Sequence, residues 1–277
     1  MRLLRIALEG EGATRVTCSA VNVRDDQVKV EKYFSRVITR EGAAHLTLID
    51  PAKQSPKVAG EIASDVEKAG SAGIMVGGST RAVGKLLDQT VRAIKKKVDL
   101  PAILFPAGEE GISRYADAIF FMSMLNSSDP YFISGAQRLG APLVKKFKLE
   151  ALPMAYLVVE PGGEAGHIGR ADLIPRDKPE LAAAYALAAR YLGMRFIYLE
   201  AGSGAGMPVP VDMVEEVRKV TDGTLIVGGG IRAPKTASDR VKAGADIIVT
   251  GTLIERSADR VARIKEIVGA IKTCGDA

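Results

Sequence analysis

Short apolar, β-prone runs alternate with longer stretches of helical spacing along most of this chain, a pattern that predicts a parallel sheet wrapped by helices. His45-Leu46-Thr47-Leu48-Ile49-Asp50 reads as a first strand, and Ser55 to Ala69 as a helix stopped by Gly70. Gly73-Ile74-Met75-Val76-Gly77-Gly78 is the second strand, with Ser79-Thr80 capping a helix that runs to about Lys97. Ala102-Ile103-Leu104-Phe105 makes a third, and only about a dozen residues separate it from Ala118-Ile119-Phe120-Phe121-Met122, the fourth. Pro106-Ala107-Gly108 and that short span leave little room for a full helix.

Asp129 to Leu149 is expected to be helical with an interruption near Gly140 and Pro142, and Met154 to Glu160 is a fifth strand. Pro161-Gly162-Gly163 opens a loop of nearly 20 residues, longer than a barrel unit normally uses, and such loops tend to carry function. Pro179 to Leu192 is an Ala-rich helix with proline near its first position. Strands six to eight follow as the run from Met194 that ends in Glu200, Leu225-Ile226-Val227 and Ile247 to Thr250, and Ser257 to about Lys272 closes the ring. The pattern therefore predicts one α/β domain, a modified (β/α)8 TIM barrel, over residues 30–277. Val30, Tyr33, Phe34, Val37 and Ile38 recur at helical spacing and suit a helix plugging its N-terminal mouth. Residues 1–29 show no long element and are expected to be an N-terminal extension.

Composition narrows the class. At 277 residues with 47% hydrophobic and only 5% aromatic side chains, the core should be aliphatic, and no apolar run reaches membrane-spanning length. The first residues turn charged too soon to supply a secretory core, so a cytoplasmic protein is expected. Cys18 and Cys274 lie near opposite ends, outside any metal-ligand spacing. A net charge of +5 with acids and bases mixed throughout argues against a nucleic-acid partner. The basic runs Lys95-Lys96-Lys97 and Lys145-Lys146-Phe147-Lys148 fall where helices should end.

Candidate chemistry collects at the predicted C-terminal ends of strands. Tyr198-Leu199-Glu200-Ala201-Gly202-Ser203-Gly204 runs from a strand into small residues that leave backbone N–H groups uncovered, as a phosphate cradle does. Gly229-Gly230 and Gly251-Thr252 are further glycine turns after strands seven and eight. Asp50, Ser79, Glu160 and Glu200 should converge on one rim. Asp50 with Ser79 is a hard oxygen pair suited to Mg2+, or the two merely cap the helices that follow. Glu200 is read as a base or as the group that orients a hydroxyl, or else as an acid satisfied by nearby backbone N–H groups, and Glu160 either meets substrate or anchors the long loop. His45 reads as a structural histidine, and His167 in the long loop is a candidate substrate contact. Arg170, Arg176 and Lys178 could meet an anion, although single basic loop residues are more often solvated. The glycines around residue 204 lack the full GxGxxG form and a first βαβ unit, so a dinucleotide site is set aside. A barrel synthase or isomerase for a small phosphometabolite, and a non-catalytic phosphometabolite binder, both fit these features.

Taken together, Leu48-Ile49-Asp50-Pro51-Ala52-Lys53-Gln54, Val76-Gly77-Gly78-Ser79-Thr80, Val159-Glu160-Pro161-Gly162-Gly163, Ile174 to Pro179, Tyr198 to Gly204, Gly228-Gly229-Gly230-Ile231 and Gly251-Thr252 make the chain resemble the geranylgeranylglyceryl phosphate synthase family. The similarity spans roughly residues 41 to 275 and looks closest to the subgroup with a Tyr-Leu-Glu-Ala-Gly-Ser-Gly motif. It implies a barrel whose helix after strand three is missing or replaced. It also implies transfer of a geranylgeranyl group from its diphosphate to the 3-hydroxyl of sn-glycerol 1-phosphate, the first ether-bond step of archaeal-type membrane lipid biosynthesis. In that pattern Asp50 and Ser79 hold Mg2+, Tyr198 to Gly204, Gly229, Gly230, Gly251 and Thr252 hold the glycerol phosphate, and Glu200 takes the hydroxyl proton. The tail needs an apolar groove, for which Ala118, Phe120, Met122 and Met124 are candidates. A homo-oligomer and a peripheral membrane contact to collect or release lipid are further expectations of the resemblance.

Overall fold

The computed structural model describes residues 29–78, 83–251 and 259–272. Eight parallel strands close into a barrel in chain order: β1 Ala44–Ile49, β2 Gly73–Gly77, β3 Ala102–Phe105, β4 Ala118–Met124, β5 Glu150–Val158, β6 Phe196–Glu200, β7 Thr224–Gly228 and β8 Ile247–Thr250. β1 and β8 complete the ring, with Ala44 opposite Ile247 and Leu46 opposite Val249. Around it lie α1 Val30–Glu41, α2 Pro56–Lys68, α3 Gly84–Lys95, α4 Ala136–Phe147, α5 Gly163–Ile168, α6 Pro179–Tyr191, α7 Val211–Val220, α8 Pro234–Lys242 and α9 Arg260–Lys272. None of these helices is long and apolar enough to cross a membrane.

Strand alternation explains the core. Each strand sends every second side chain inward, so Leu46, Met75, Phe120, Met154, Phe196 and Ile226 fill the barrel. The intervening residues, such as Ile74, Leu104, Ile197 and Leu225, pack under the helices. Both faces are covered, which is why the strands read as apolar runs rather than as alternating ones.

Helix α1 packs Val30, Phe34 and Val37 into the same cluster as the inward residues. The Glu150 carboxylate accepts the N–H groups of Lys29, Val30 and Glu31 at 2.8, 2.6 and 3.0 Å, so an acid at the start of β5 caps this helix from outside it. Arg195 then holds Glu31 through two N–H groups at 2.7 and 2.8 Å.

Between β3 and β4 there is only the 3-10 turn Glu109–Gly111, as the short spacing required. The next unit departs from expectation. α4 runs through Gly140 and Pro142 unbroken, and its irregularity is a π-turn at Tyr131–Gly135 before it. Pro142 is exposed, so water can satisfy the carbonyl that its missing N–H leaves unpaired. β5 also begins earlier than expected, at Glu150, and pairs along its length with β4. The long loop after β5 contains α5, and an isolated bridge joins Val159 to Ile174.

His45 is a structural residue. Its Nδ1 lies 2.8 Å from Ser71 Oγ and its Nε2 2.9 Å from Thr250 Oγ1, and burial pulls its pKa from 6.5 down to about 3. Between those values the unfolded chain binds a proton that the fold excludes, so stability is lost as pH falls below 6.5. Denaturant titrations should show wild-type stability dropping by up to about 1.4 kcal/mol more per pH unit than that of His45→Gln between roughly pH 6 and 4. Equal slopes would contradict this.

Candidate active site

Among the described residues the C-terminal rim carries connected cavities, and three of them bear on the candidate site. The first is a small cup lined by Tyr198, Glu200, Ser203, Gly204, Gly229, Gly230, Arg232 and Gly251. The second is a central cleft that shares Leu48, Glu200, Ser203 and Gly251 with the cup and adds Asp50, Lys53, Gly78, Phe105, Tyr156, Glu164 and Ala165. The third, of about 790 Å3 counted to its open mouth, is an apolar groove that shares Gly78, Phe105, Tyr156 and Ala165 with the cleft. It continues past Phe120, Met122 and Met124 to Phe132, Ala136 and Gly140 at the start of α4.

Glu200, the last residue of β6, points inward beside the cup. Its Oε1 accepts the Gly202 N–H at 2.7 Å, and the hydroxyls of Tyr198 and Tyr156 bond to the carboxylate. Burial pushes its pKa up, and these three donors oppose that rise. The Tyr156 and Tyr198 hydroxyls are in turn pushed well above the ordinary tyrosine value, first by burial and then by the neighbouring carboxylate. A buried acid with a raised pKa beside a phosphate-type cup is a candidate for proton transfer.

Glycine is required where β7 passes this acid. Gly229 has φ +81°, and a Cβ there would sit 2.4 Å from Glu200 Oε1 and 2.7 Å from Gly202 N. The cup is thus formed by two glycine turns pressed together, with the Gly204 carbonyl accepting from Arg232 at 2.7 Å.

Asp50 follows β1, and its Oδ1 accepts the Ala52 N–H at 3.0 Å. Its Oδ2 lies 3.9 Å from Lys53 Nζ and would be 3.0 Å from a Cβ on Gly78. Asp50 and Glu200 therefore line one cleft at one rim. Among the described residues no group of three or more His, Cys, Asp or Glu could hold a metal by itself. That donor set fits Mg2+, which keeps its waters and completes its shell with phosphate oxygens, better than a metal needing an all-protein cage.

The expected residues separate into distinct groups. Tyr198, Glu200, Ser203, Gly204, Gly229, Gly230 and Gly251 line the cup. Leu199 and Ala201 are packed into the helix-side core because strand alternation turns them outward, and the Gly202 N–H is committed to Glu200. Ser79 and Thr252 lie outside the described residues. Glu160 is exposed and lines none of the three cavities; its Oε2 accepts the Arg176 N–H at 3.4 Å, which is the loop-anchoring geometry. Arg176 donates to the carbonyls of Glu160 and Pro208, Arg170 pairs with Asp129, and His167 and Lys178 are exposed. Of the groove candidates, Ala118 is instead buried in the barrel core near α1, while Phe120, Met122 and Met124 line the groove.

The sequence reading missed Tyr156, Phe105, Glu164 and Arg232. Tyr156 had a usable signal: it stands opposite Tyr198 in the β5–β6 register, two positions before Val158, and so shares the inward parity of Tyr198. Glu164 had none, because its place depends on the turn into α5.

Fold and rim together define a (β/α)8 barrel with a phosphate-type glycine cup and an attached apolar groove. Residues 36–271 match the PcrB family. The chain is 55% identical over 247 residues to the geranylgeranylglyceryl phosphate synthase of Methanosarcina acetivorans, covering 89% of this chain and 100% of that protein. It is 59% identical over 229 residues to the protein of the same name from Pyrococcus horikoshii, covering 83% and 90%. The crystal structure of (S)-3-O-geranylgeranylglyceryl phosphate synthase from Thermoplasma acidophilum in complex with sn-glycerol-1-phosphate superposes with a TM-score of 0.84 at 46% identity, over 88% of this chain and 98% of that one. The chain belongs to the PcrB family of geranylgeranylglyceryl phosphate synthases.

Because a Cβ on Gly229 would lie 2.4 Å from Glu200 Oε1, Gly229→Ala should displace the carboxylate and close the cup. Calorimetry with inorganic phosphate should show at least about a tenfold loss of affinity, or about 1.4 kcal/mol. Unchanged binding would mean that phosphate sits elsewhere.

Proposed function

We propose that this protein is a geranylgeranylglyceryl phosphate synthase that transfers the geranylgeranyl group of geranylgeranyl diphosphate to the 3-hydroxyl of sn-glycerol 1-phosphate. The observation that carries this reading is the continuous path from glycine cup, past a buried acid, to an apolar groove. The names of the relatives, and the glycerol phosphate in the Thermoplasma acidophilum structure, support it.

In the reaction the glycerol 3-oxygen bonds to C1 of the prenyl chain. The bond from C1 to the diphosphate oxygen breaks, its electron pair leaves with diphosphate, and the hydroxyl proton passes to Glu200. The Gly202 N–H fixes the Glu200 carboxylate, and the cup's backbone amides hold the phosphate end, so the two reactants meet in a set orientation. The groove keeps water from C1. Asp50, with Ser79, would hold Mg2+, which when bound neutralises charge on the diphosphate leaving group. Lys53 stands beside Asp50 to meet the same anion.

The outer face of α4 exposes Leu139 and Leu143 among Arg138, Lys145 and Lys146, while its inner face lines the groove, so a peripheral contact with an anionic membrane can deliver or release lipid there. Exposed Tyr191 and Leu192 at the end of α6 offer an apolar edge to a second copy in a homo-oligomer. The reading puts the enzyme in the cytoplasm.

The test is product analysis by mass spectrometry with Mg2+, sn-glycerol 1-phosphate and C15, C20 or C35 prenyl diphosphates. The expected product is geranylgeranylglyceryl phosphate, lost with chelator and restored by Mg2+. Glu200→Gln should lower kcat by about 100-fold or more, because Gln cannot accept the proton. Since burial raises the folded pKa of Glu200 above 4.5, its charge opposes folding at neutral pH, and the variant should melt no lower than wild type. Absence of ether product, or full activity in Glu200→Gln, would contradict the proposal.

A further inference from the structure

Two rings stand where the polar cleft becomes the apolar groove. Only Gly78, Phe105, Tyr156 and Ala165 line both spaces among the described residues, and two of these four are aromatic. Phe105 is the last residue of β3 and Tyr156 comes near the end of β5, and both are almost wholly buried. Their ring centroids are 5.5 Å apart at an interplanar angle of 78°. Tyr198 completes a trio, 5.7 Å from Phe105 and 5.2 Å from Tyr156. Deeper in the barrel Phe105 also meets Phe120 at 6.4 Å and Phe120 meets Phe196 at 5.8 Å, so what sets Phe105 and Tyr156 apart is that they line both cavities. The chain has only 5% aromatic residues, so three rings in contact at the mouth are a local concentration.

The chemistry of the proposed reaction gives that concentration a task. A prenyl diphosphate laid along the cavities puts its phosphates beside Asp50 and Lys53 and its tail in the groove, so its allylic carbons C1 to C3 must cross the junction. As the bond from C1 to oxygen breaks, its electrons leave with diphosphate and positive charge spreads over C1 and C3. An aromatic ring offers a negative π-system to such a charge, and the attraction is strongest in a site without water. The Tyr156 hydroxyl bonds to the Glu200 carboxylate, which polarises the phenol and makes its ring more electron-rich.

We propose that Phe105 and Tyr156 form an aromatic wall that stabilises the allylic cation at the junction of cleft and groove, making them catalytic residues for prenyl transfer in addition to Glu200. This rests on the prenyltransferase reading above and adds to it the route by which the developing charge is met. Tyr198 supports the wall by packing against both rings.

The test reads the chemical step in single-turnover experiments with sn-glycerol 1-phosphate, geranylgeranyl diphosphate and Mg2+. Phenylalanines carrying one, two or three ring fluorines, placed at position 105, withdraw π density with little change of shape. The rate constant should fall with each fluorine, by about tenfold or more across the series, while KM for both substrates and Tm stay near wild type. Phe105→Leu should fall at least as far as the trifluoro ring, and Tyr156→Phe, which keeps a ring, should lose less than Tyr156→Leu. A flat fluorine series in an enzyme whose wild type makes the ether product would overturn the aromatic wall and leave the prenyltransferase reading intact. A wild type that makes no product would overturn both.

Discussion

Glu200 is buried at the end of β6, with one carboxylate oxygen held by the Gly202 N–H at 2.7 Å and the backbone of Gly229 pressed against it. A side chain at either glycine would meet backbone or the acid itself, since a Cβ on Gly202 would lie 2.7 Å from Gly162 C. Gly229 therefore both lines the cup and makes room for the acid. Burial costs the carboxylate its hydration, and the Gly202 amide and the Tyr156 and Tyr198 hydroxyls return part of what is lost. The result is an acid with a raised pKa at the meeting point of cup and cleft.

The rest of the barrel positions that point. Parallel strands in ring order put the C-terminal ends of β1 and β6 on one rim, so Asp50 and Glu200 line one cleft although 150 positions separate them by their numbers. The full helix missing between β3 and β4 leaves a flank where the Glu109–Gly111 turn and the segment leading into α4 help line the apolar groove. Tyr131, in the π-turn before α4, bonds through its hydroxyl to Glu109 in that turn and so ties the two covering segments together. An irregular unit in the barrel is what makes space for a long apolar ligand.

Much of this was legible in the sequence. The strands were visible because burial on both faces makes each a continuous apolar run, and the missing helix was visible in the short gap after Phe105. Glu200 and the glycine turns were visible because both terminate apolar runs. What the sequence concealed depends on direction rather than on residue type. The roles of Leu199 and Ala201 follow from which way alternate residues point, and the place of Glu160 from the anchoring of the loop by Arg176. The start of β5 was hidden by Pro153, which reads as a breaker and lies within the strand, paired with Phe121 of β4. Gly140 and Pro142 misled in the same way, since α4 passes through both.

The claim that a phosphate end and a prenyl tail meet beside one buried acid is most directly tested by a crystal structure. The protein would be crystallised with Mg2+, sn-glycerol 1-phosphate and an unreactive thiolo analogue of geranylgeranyl diphosphate. The predicted result has the phosphate on the glycine cup, the tail in the groove past Phe120 and Met124, and the glycerol 3-oxygen about 3 Å from the Glu200 carboxylate. A tail bound outside that groove, or a hydroxyl out of reach of Glu200, would contradict it.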